Sequence, residues 1–186
     1  MSKSIVVSGP PAIGKTTVAK GLAEEFNIKY LSGGDILKEL ASEQGFSSSG
    51  DDWWDTEDGM KFLNQRKNNP EFDKKVDEKL IQLFQQGNVV ITSYTLPWLI
   101  DNGIKLWLDG TVENSAKRMQ NRDNMDASLA LEVVKKRFNE NKIIYKNLYN
   151  FEFGDDLSVF DKIIKTDGLD AEQVLEIAKS SVRELL

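Results

Sequence analysis

With 186 residues, 40% of them hydrophobic, the chain can bury a full core as one domain or one domain with insertions. It contains no cysteine and no histidine, which excludes disulfides, thiolate or imidazole metal sites and every catalytic device built on histidine. The net charge of −6 argues against a protein that coats nucleic acid, and no apolar run reaches the roughly 18 residues of a membrane span.

The apolar run Ile5-Val6-Val7 starts almost at the N-terminus, so no secretory leader is expected and the protein reads as soluble and cytoplasmic. A monomer with no membrane partner and no nucleic-acid partner is the expectation. After that run comes Ser8-Gly9-Pro10-Pro11-Ala12-Ile13-Gly14-Lys15-Thr16-Thr17, then the helical pattern Val18 to Phe26. Gly9 to Thr16 matches G-x-x-x-x-G-K-[ST] in full, with a strand before it and a helix after it. Glycines let successive backbone N–H groups turn inward as an anion nest, and the helix adds its positive dipole end. Lys15 would reach the β/γ-phosphates of a nucleoside triphosphate, and the Thr16 hydroxyl would ligate Mg²⁺.

Five short apolar or β-branched segments can be placed: Ser4–Ser8, Lys29–Ser32, Asn88–Thr92, Ile104–Leu108 and Phe160–Lys165. Their lack of strict alternation suits strands covered on both faces, which predicts an α/β fold with a parallel sheet and crossover helices. Ligands of such sheets lie beyond the carboxyl ends of the strands. Past the second strand, Gly33-Gly34 reads as a tight turn before a helix carrying Ile36, Leu37, Leu40 and Ala41. Asp35 there is either the helix cap or a holder of the water around Mg²⁺.

Gly45 to Asp52 is a polar loop leading into Trp53-Trp54, and Asp55 or Thr56 can cap a helix reaching Gln65. Adjacent tryptophans cannot both face one core, so one packs while the other lines a cleft, or both anchor an insertion. Pro70 starts an amphipathic helix with Phe72, Val76, Leu80, Leu83 and Phe84, closing at Gly87. Four hydroxyls, Thr92-Ser93-Tyr94-Thr95, follow the third strand in a turn ended by Pro97. Thr111 caps the next helix, on which Arg118 and Arg122 share a face, either as a phosphate clamp or as solvated charge. Residues 126–149 read as one long helix with Leu129, Val133, Val134, Phe138 and Ile144 on its apolar side. Lys135, Lys136, Arg137 and Lys142 make its other side basic, suited to a cover over phosphates. Thr166-Asp167-Gly168 ends the fifth strand, and Val174, Ile177, Ala178, Val182 and Leu185 stripe the last helix.

With Gly9–Thr17, Ser32–Asp35, Gly87-Asn88-Val89-Val90, Arg118…Arg122-Asp123 and Asp156-Leu157-Ser158-Val159-Phe160-Asp161 together, the chain resembles the nucleoside monophosphate kinases. It is most similar to the archaeal branch of the cytidylate kinase family, over essentially its whole length. The resemblance implies a P-loop fold with a five-stranded parallel sheet and a core of residues 1–34, 87–117 and 151–186. It also implies a monophosphate-binding insertion at 35–86, a lid at 118–150, and transfer of the ATP γ-phosphate to CMP or dCMP with Mg²⁺. The resemblance puts the adenine near Thr166 and against Arg118. Relatives typically carry arginine where this chain has Lys38, Tyr94 and Ile144. Lys38 keeps the charge without the bidentate fork, while Tyr94 and Ile144 lose it.

These readings combine into one expected mechanism. ATP–Mg²⁺ lies on Gly9–Thr17, and Arg118, Arg122 and Arg137 neutralise the phosphoryl group in flight, with Thr16 and Asp35 on the metal side. Asp35, Lys38, Trp53, Trp54 and Tyr94 form the acceptor pocket. An ionised phosphate oxygen needs no general base, which fits a chain without histidine. Two alternatives stand beside it: a P-loop kinase with a different small acceptor, and a nucleotide-binding switch or assembly factor with weak ATPase activity.

Overall fold

β-Branched residues put three consecutive fully buried side chains, Ile5, Val6 and Val7, into the first strand, and the rest of the molecule is layered on that fact. Side chains alternate across a strand, so Ile5 and Val7 face one layer and Val6 the other. The computed structural model describes residues 3–46, 61 and 71–186. Strands β1 (Ser4–Ser8), β2 (Lys29–Ser32), β3 (Val89–Thr92), β4 (Ile104–Asp109) and β5 (Lys162–Lys165) form one sheet in the order β2-β3-β1-β4-β5. Every pairing is parallel. The expected α/β architecture is therefore present. Strand ends shift slightly: Asn88 precedes β3 with positive φ, Asp109 extends β4, and Phe160 lies in a turn before β5.

On one face, α1 (Lys15–Phe26) and the last helix, α7 (Ala171–Leu185), pack through Val18, Leu22, Val174, Ala178 and Val182 onto Ile5, Val7, Leu106 and Leu108. On the other, α2 (Gly33–Glu43), α3 (Glu71–Gln86) and the short α4 (Leu96–Leu99) bury Ile36, Phe72, Val76, Leu80, Phe84 and Leu96 against Val6 and Ile91. Helix α5 (Val112–Asp123) is followed by α6 (Ala127–Tyr149), and the pair joins through Ala116, Met119, Ala130 and Val134. An aromatic cluster, including Trp98, Trp107, Tyr145, Phe151 and Phe153, connects α6 and the 151–160 segment to β4.

Several expectations are corrected by this packing. Gly33 and Gly34 are the first residues of α2, not a separate turn, because the Ser32 side chain caps the helix directly. Pro97 starts rather than ends structure: it sits in the first turn of α4, where its missing N–H costs nothing. The buried line of α6 is Ala130, Val134 and Tyr145, whereas Leu129 and Ile144 are 48% and 41% exposed. Ile177 and Leu185 of the last helix also face outward, with Ser181 taking a buried place. Trp53, Trp54 and the proposed helix to Gln65 lie outside the described residues.

Candidate functional site

The parallel register lines up the carboxyl ends of the strands, pairing Val7 with Thr92, Ser8 with Trp107, Ser32 with Thr92 and Asp109 with Lys165. Each candidate segment leaves the sheet from this one edge. The Gly9–Thr17 loop leaves β1 with Gly9, Ala12 and Gly14 all at positive φ. Gly9 has no room for a side chain: a Cβ there would lie 2.5 Å from the Leu108 carbonyl oxygen. Gly14 enters α1 without any side-chain cap, and the first turn holds no acidic residue. The first N–H groups of α1 are thus not covered by a side-chain cap, as an anion site requires.

Lys15 folds back over this loop, donating from Nζ to the carbonyl oxygens of Gly9 at 3.0 Å and Pro10 at 2.6 Å. Its ammonium also sits 4.5 Å from the centre of the Tyr94 ring. Burial pushes the Lys15 ammonium below the usual lysine range; Tyr94 opposes that shift and the Arg137 guanidinium adds to it. Burial alone would raise the Tyr94 phenol, but Lys15, Arg137 and Arg122 outweigh it and the net direction is down. Cations from α1, α5 and α6 therefore act on one tyrosine. Tyr94 occupies the centre of a positive cluster in a chain whose net charge is −6.

Arg118 and Arg122 share a helix face but make different contacts. Arg118 lies against Gly14, its Nη1 3.3 Å from where a Cβ would be, and Nη2 donates to the Leu169 carbonyl at 3.4 Å. Its Nε is buried with no hydrogen-bond partner among the described residues. An orphaned guanidinium donor beside the loop is what a nucleotide-binding cleft would leave for its ligand. Arg122 is held by Asp123 in a bidentate pair at 2.6 Å, which raises its pKa and lowers that of Asp123. Asp123 was legible only as a neighbour in sequence; its orienting contact is a finding of the structure.

Asp35 is not the cap of α2. Ser32 caps the helix, and Asp35 closes a capping box by accepting from the Ser32 N–H at 3.0 Å and hydroxyl at 2.7 Å. Lys38 is half-buried one turn further along α2, and Thr16 and Thr17 are exposed at the start of α1. Thr166 is fully buried, with its N–H bonded to the Asp109 carbonyl and its hydroxyl accepting from Asn114 Nδ2 at 3.3 Å. Among the described residues no three acidic side chains gather into a metal cluster. The residues that could hold a Mg²⁺ beside the loop are Thr16, through its exposed hydroxyl, and Asp35, through water; these oxygen donors suit a hard, well-hydrated ion.

Asp77, which the sequence did not single out, is only 5% exposed and accepts from Thr95 Oγ1 and Tyr149 Oη. The available signal was its place between Val76 and Leu80 on the apolar stripe of α3. No helix among the described residues is long and apolar enough to cross a membrane.

Comparison with known proteins agrees with this geometry. In fold, the chain is similar to an uncharacterized protein from Eubacterium ventriosum, with a TM-score of 0.62 at 22% identity, covering 96% of this chain and 97% of that one. It is likewise similar to a shikimate kinase from Bacteroides thetaiotaomicron, with a TM-score of 0.57 at 17% identity, covering 100% and 98% of the two chains. In sequence, it is 34% identical to the cytidylate kinase of Methanocaldococcus jannaschii over 97% of this chain and 98% of the relative. The cytidylate kinase of Pyrococcus horikoshii is 31% identical, over 97% and 88% respectively. The profile of the cytidylate kinase-like family matches residues 4–168. Loop, sheet order and full-length similarity thus agree, and the chain belongs to the cytidylate kinase-like family of nucleoside monophosphate kinases.

Proposed function

We propose that the protein transfers the γ-phosphoryl group of ATP to CMP or dCMP, giving the diphosphate. The observation that carries this reading is the convergence of Lys15, Arg122 and Arg137 on Tyr94 beside the uncapped α1 N-terminus. Bound Mg·ATP supplies the activated phosphoryl group. The backbone N–H groups of Gly9–Thr17 hold its phosphates, and Lys15 moves from the Gly9 and Pro10 carbonyls onto them. Arg118 covers the loop at Gly14 and offers its unpartnered Nε to the nucleotide. Arg122, aligned by Asp123, and Arg137 on α6 neutralise the charge that spreads over the transferring group. Residues 118–150 act as a lid that brings these arginines down and excludes water, which suppresses hydrolysis of ATP. The acceptor attacks with an ionised phosphate oxygen, so no general base is required. Asp35, Lys38 and Tyr94 line the acceptor side, and residues 35–86 form the monophosphate-binding part.

Release of ADP from Mg·ATP tests the proposal, measured by a coupled assay with a panel of nucleoside monophosphates against a blank without acceptor. CMP or dCMP should stimulate turnover well above the blank. A panel no faster than the blank refutes the monophosphate-kinase reading. Tyr94 and the exposed Ile144, neither of them a cation at positions where the resemblance implies arginine, favour a second reading in which the acceptor is another small molecule. Hydroxyl and carboxylate acceptors added to the same panel separate the two.

A further inference from the structure

A buried carboxylate joins three parts of the molecule that carry candidate site residues. Asp77 lies in α3 among Phe72, Val76, Leu80 and Phe84, and is almost fully buried. A carboxylate is costly in such surroundings unless its oxygens are hydrogen-bonded. Thr95, in the turn after β3, donates from Oγ1 to Asp77 Oδ1. Tyr149, the last residue of α6, donates from Oη to Asp77 Oδ2 at 2.7 Å. Burial, together with the hydrogen bond to Asp77, pushes the Tyr149 phenol well above its ordinary range, so it remains a donor.

Counting protons gives the network a direction. A threonine hydroxyl has one proton, and that of Thr95 goes to Asp77. The 3.2 Å contact between Ser93 Oγ and Thr95 Oγ1 then has Ser93 as its donor. Ser93 Oγ meanwhile accepts from the N–H groups of Thr95 at 3.2 Å and Leu96 at 3.1 Å. The turn is thereby wound around two hydroxyls and anchored on Asp77. Between those hydroxyls stands Tyr94, whose ring faces Lys15.

We infer that Asp77 is a positioning residue: it fixes the Ser93–Leu96 turn that presents Tyr94 to Lys15, and ties that turn to the foot of α6, the helix that carries Arg137. The inference rests on the kinase reading only for the catalytic meaning of Tyr94 and Arg137, not for the coupling itself.

Amide hydrogen exchange on the full chain tests the coupling without any acceptor. Tyr149→Phe removes the phenol donor to Asp77 while keeping the ring stacked on Phe151, and Thr95→Val removes the threonine donor. In Tyr149→Phe, peptides covering residues 93–98 should exchange faster, and in Thr95→Val those covering 145–150, each by about three- to thirtyfold. Thr95→Ser, which restores the hydroxyl, should return to parental exchange. Loosening confined to each variant's own segment overturns the inference. In the coupled assay, Tyr149→Phe should lower kcat for CMP by about the same factor while the Kd for ATP stays within about twofold. Parental kcat, or a loss of ATP affinity matching the loss of kcat, also overturns it. A parent that phosphorylates no monophosphate defeats the kinase reading instead, and the exchange result still decides the role of Asp77.

Discussion

Lys15 illustrates how one residue carries conflicting demands. Its ammonium is held against carbonyl oxygens and the Tyr94 ring while burial and Arg137 disfavour its charge. A lysine whose folded pKa lies below its unfolded value opposes folding at pH values below the folded pKa. That penalty fades as the pH rises from the folded value toward the ordinary lysine range. Lys15→Ala should consequently leave the ligand-free protein at least as stable near neutral pH, while removing the charge that follows the phosphates. Transfer should fall by roughly a hundredfold or more, about 3 kcal/mol of transition-state stabilisation. Thermal melting and kcat/KM on the same preparation check both parts, and a variant with parental turnover would remove Lys15 from the mechanism. The motif made Lys15 legible from sequence. Its pairing with Tyr94 was not, because the two residues are brought together only by neighbouring strands.

At the scale of an element, α6 depends on its ends. Asp126 caps it by accepting from the N–H groups of Ser128 at 2.8 Å and Leu129 at 3.2 Å, and from the Ser128 hydroxyl at 2.6 Å. The Ser128 hydroxyl, and then these backbone donors, hold the carboxyl below the usual aspartate range. A group depressed in the folded state contributes stability above the ordinary value of about 4, and loses it as the pH falls through the folded value. Asp126→Ala should melt below the parent at neutral pH, and the gap should close as the pH drops below about 4. A gap that stays constant across that range contradicts the cap as its source. The helix itself was readable from residues 126–149, since its length and charge leave few alternatives. Its buried line was misassigned, because a helix read alone does not reveal which of several apolar rows meets a neighbour.

Across the whole molecule, Phe153 links the layers. It is fully buried, with ring centres 5.5 Å from Trp107, 5.6 Å from Tyr94, Phe138 and Tyr145, and 5.9 Å from Trp98. One side chain thus touches β4, the Tyr94 turn, α4 and the α6 helix. Phe153→Ala should destabilise the protein by about 3–5 kcal/mol, since the surrounding rings cannot all collapse into the space. Urea unfolding measures that loss. Transfer activity should fall as well, because the same rings support Tyr94 and the foot of α6. A loss below about 1 kcal/mol would mean that the cluster repacks freely.

The sequence by itself determined what local rules encode. Gly9–Thr17 specifies a loop and helix start through spacing alone, and the β-branched runs specify buried parallel strands because both faces must be apolar. Thr111 caps the helix that follows it through a side chain reaching only three residues along the chain, whereas for α2 the sequence offered Asp35 and the structure uses Ser32. Tertiary structure decided everything that joins distant segments. Asp77 is buried rather than solvated because Thr95 and Tyr149 arrive to satisfy its two oxygens. Arg118 and Arg122, four residues apart on one face, divide between Gly14 and Asp123 because their neighbours differ. Periodicity states which side of a helix is apolar. Only the packed fold supplies the partner that makes a buried charge or an arginine functional.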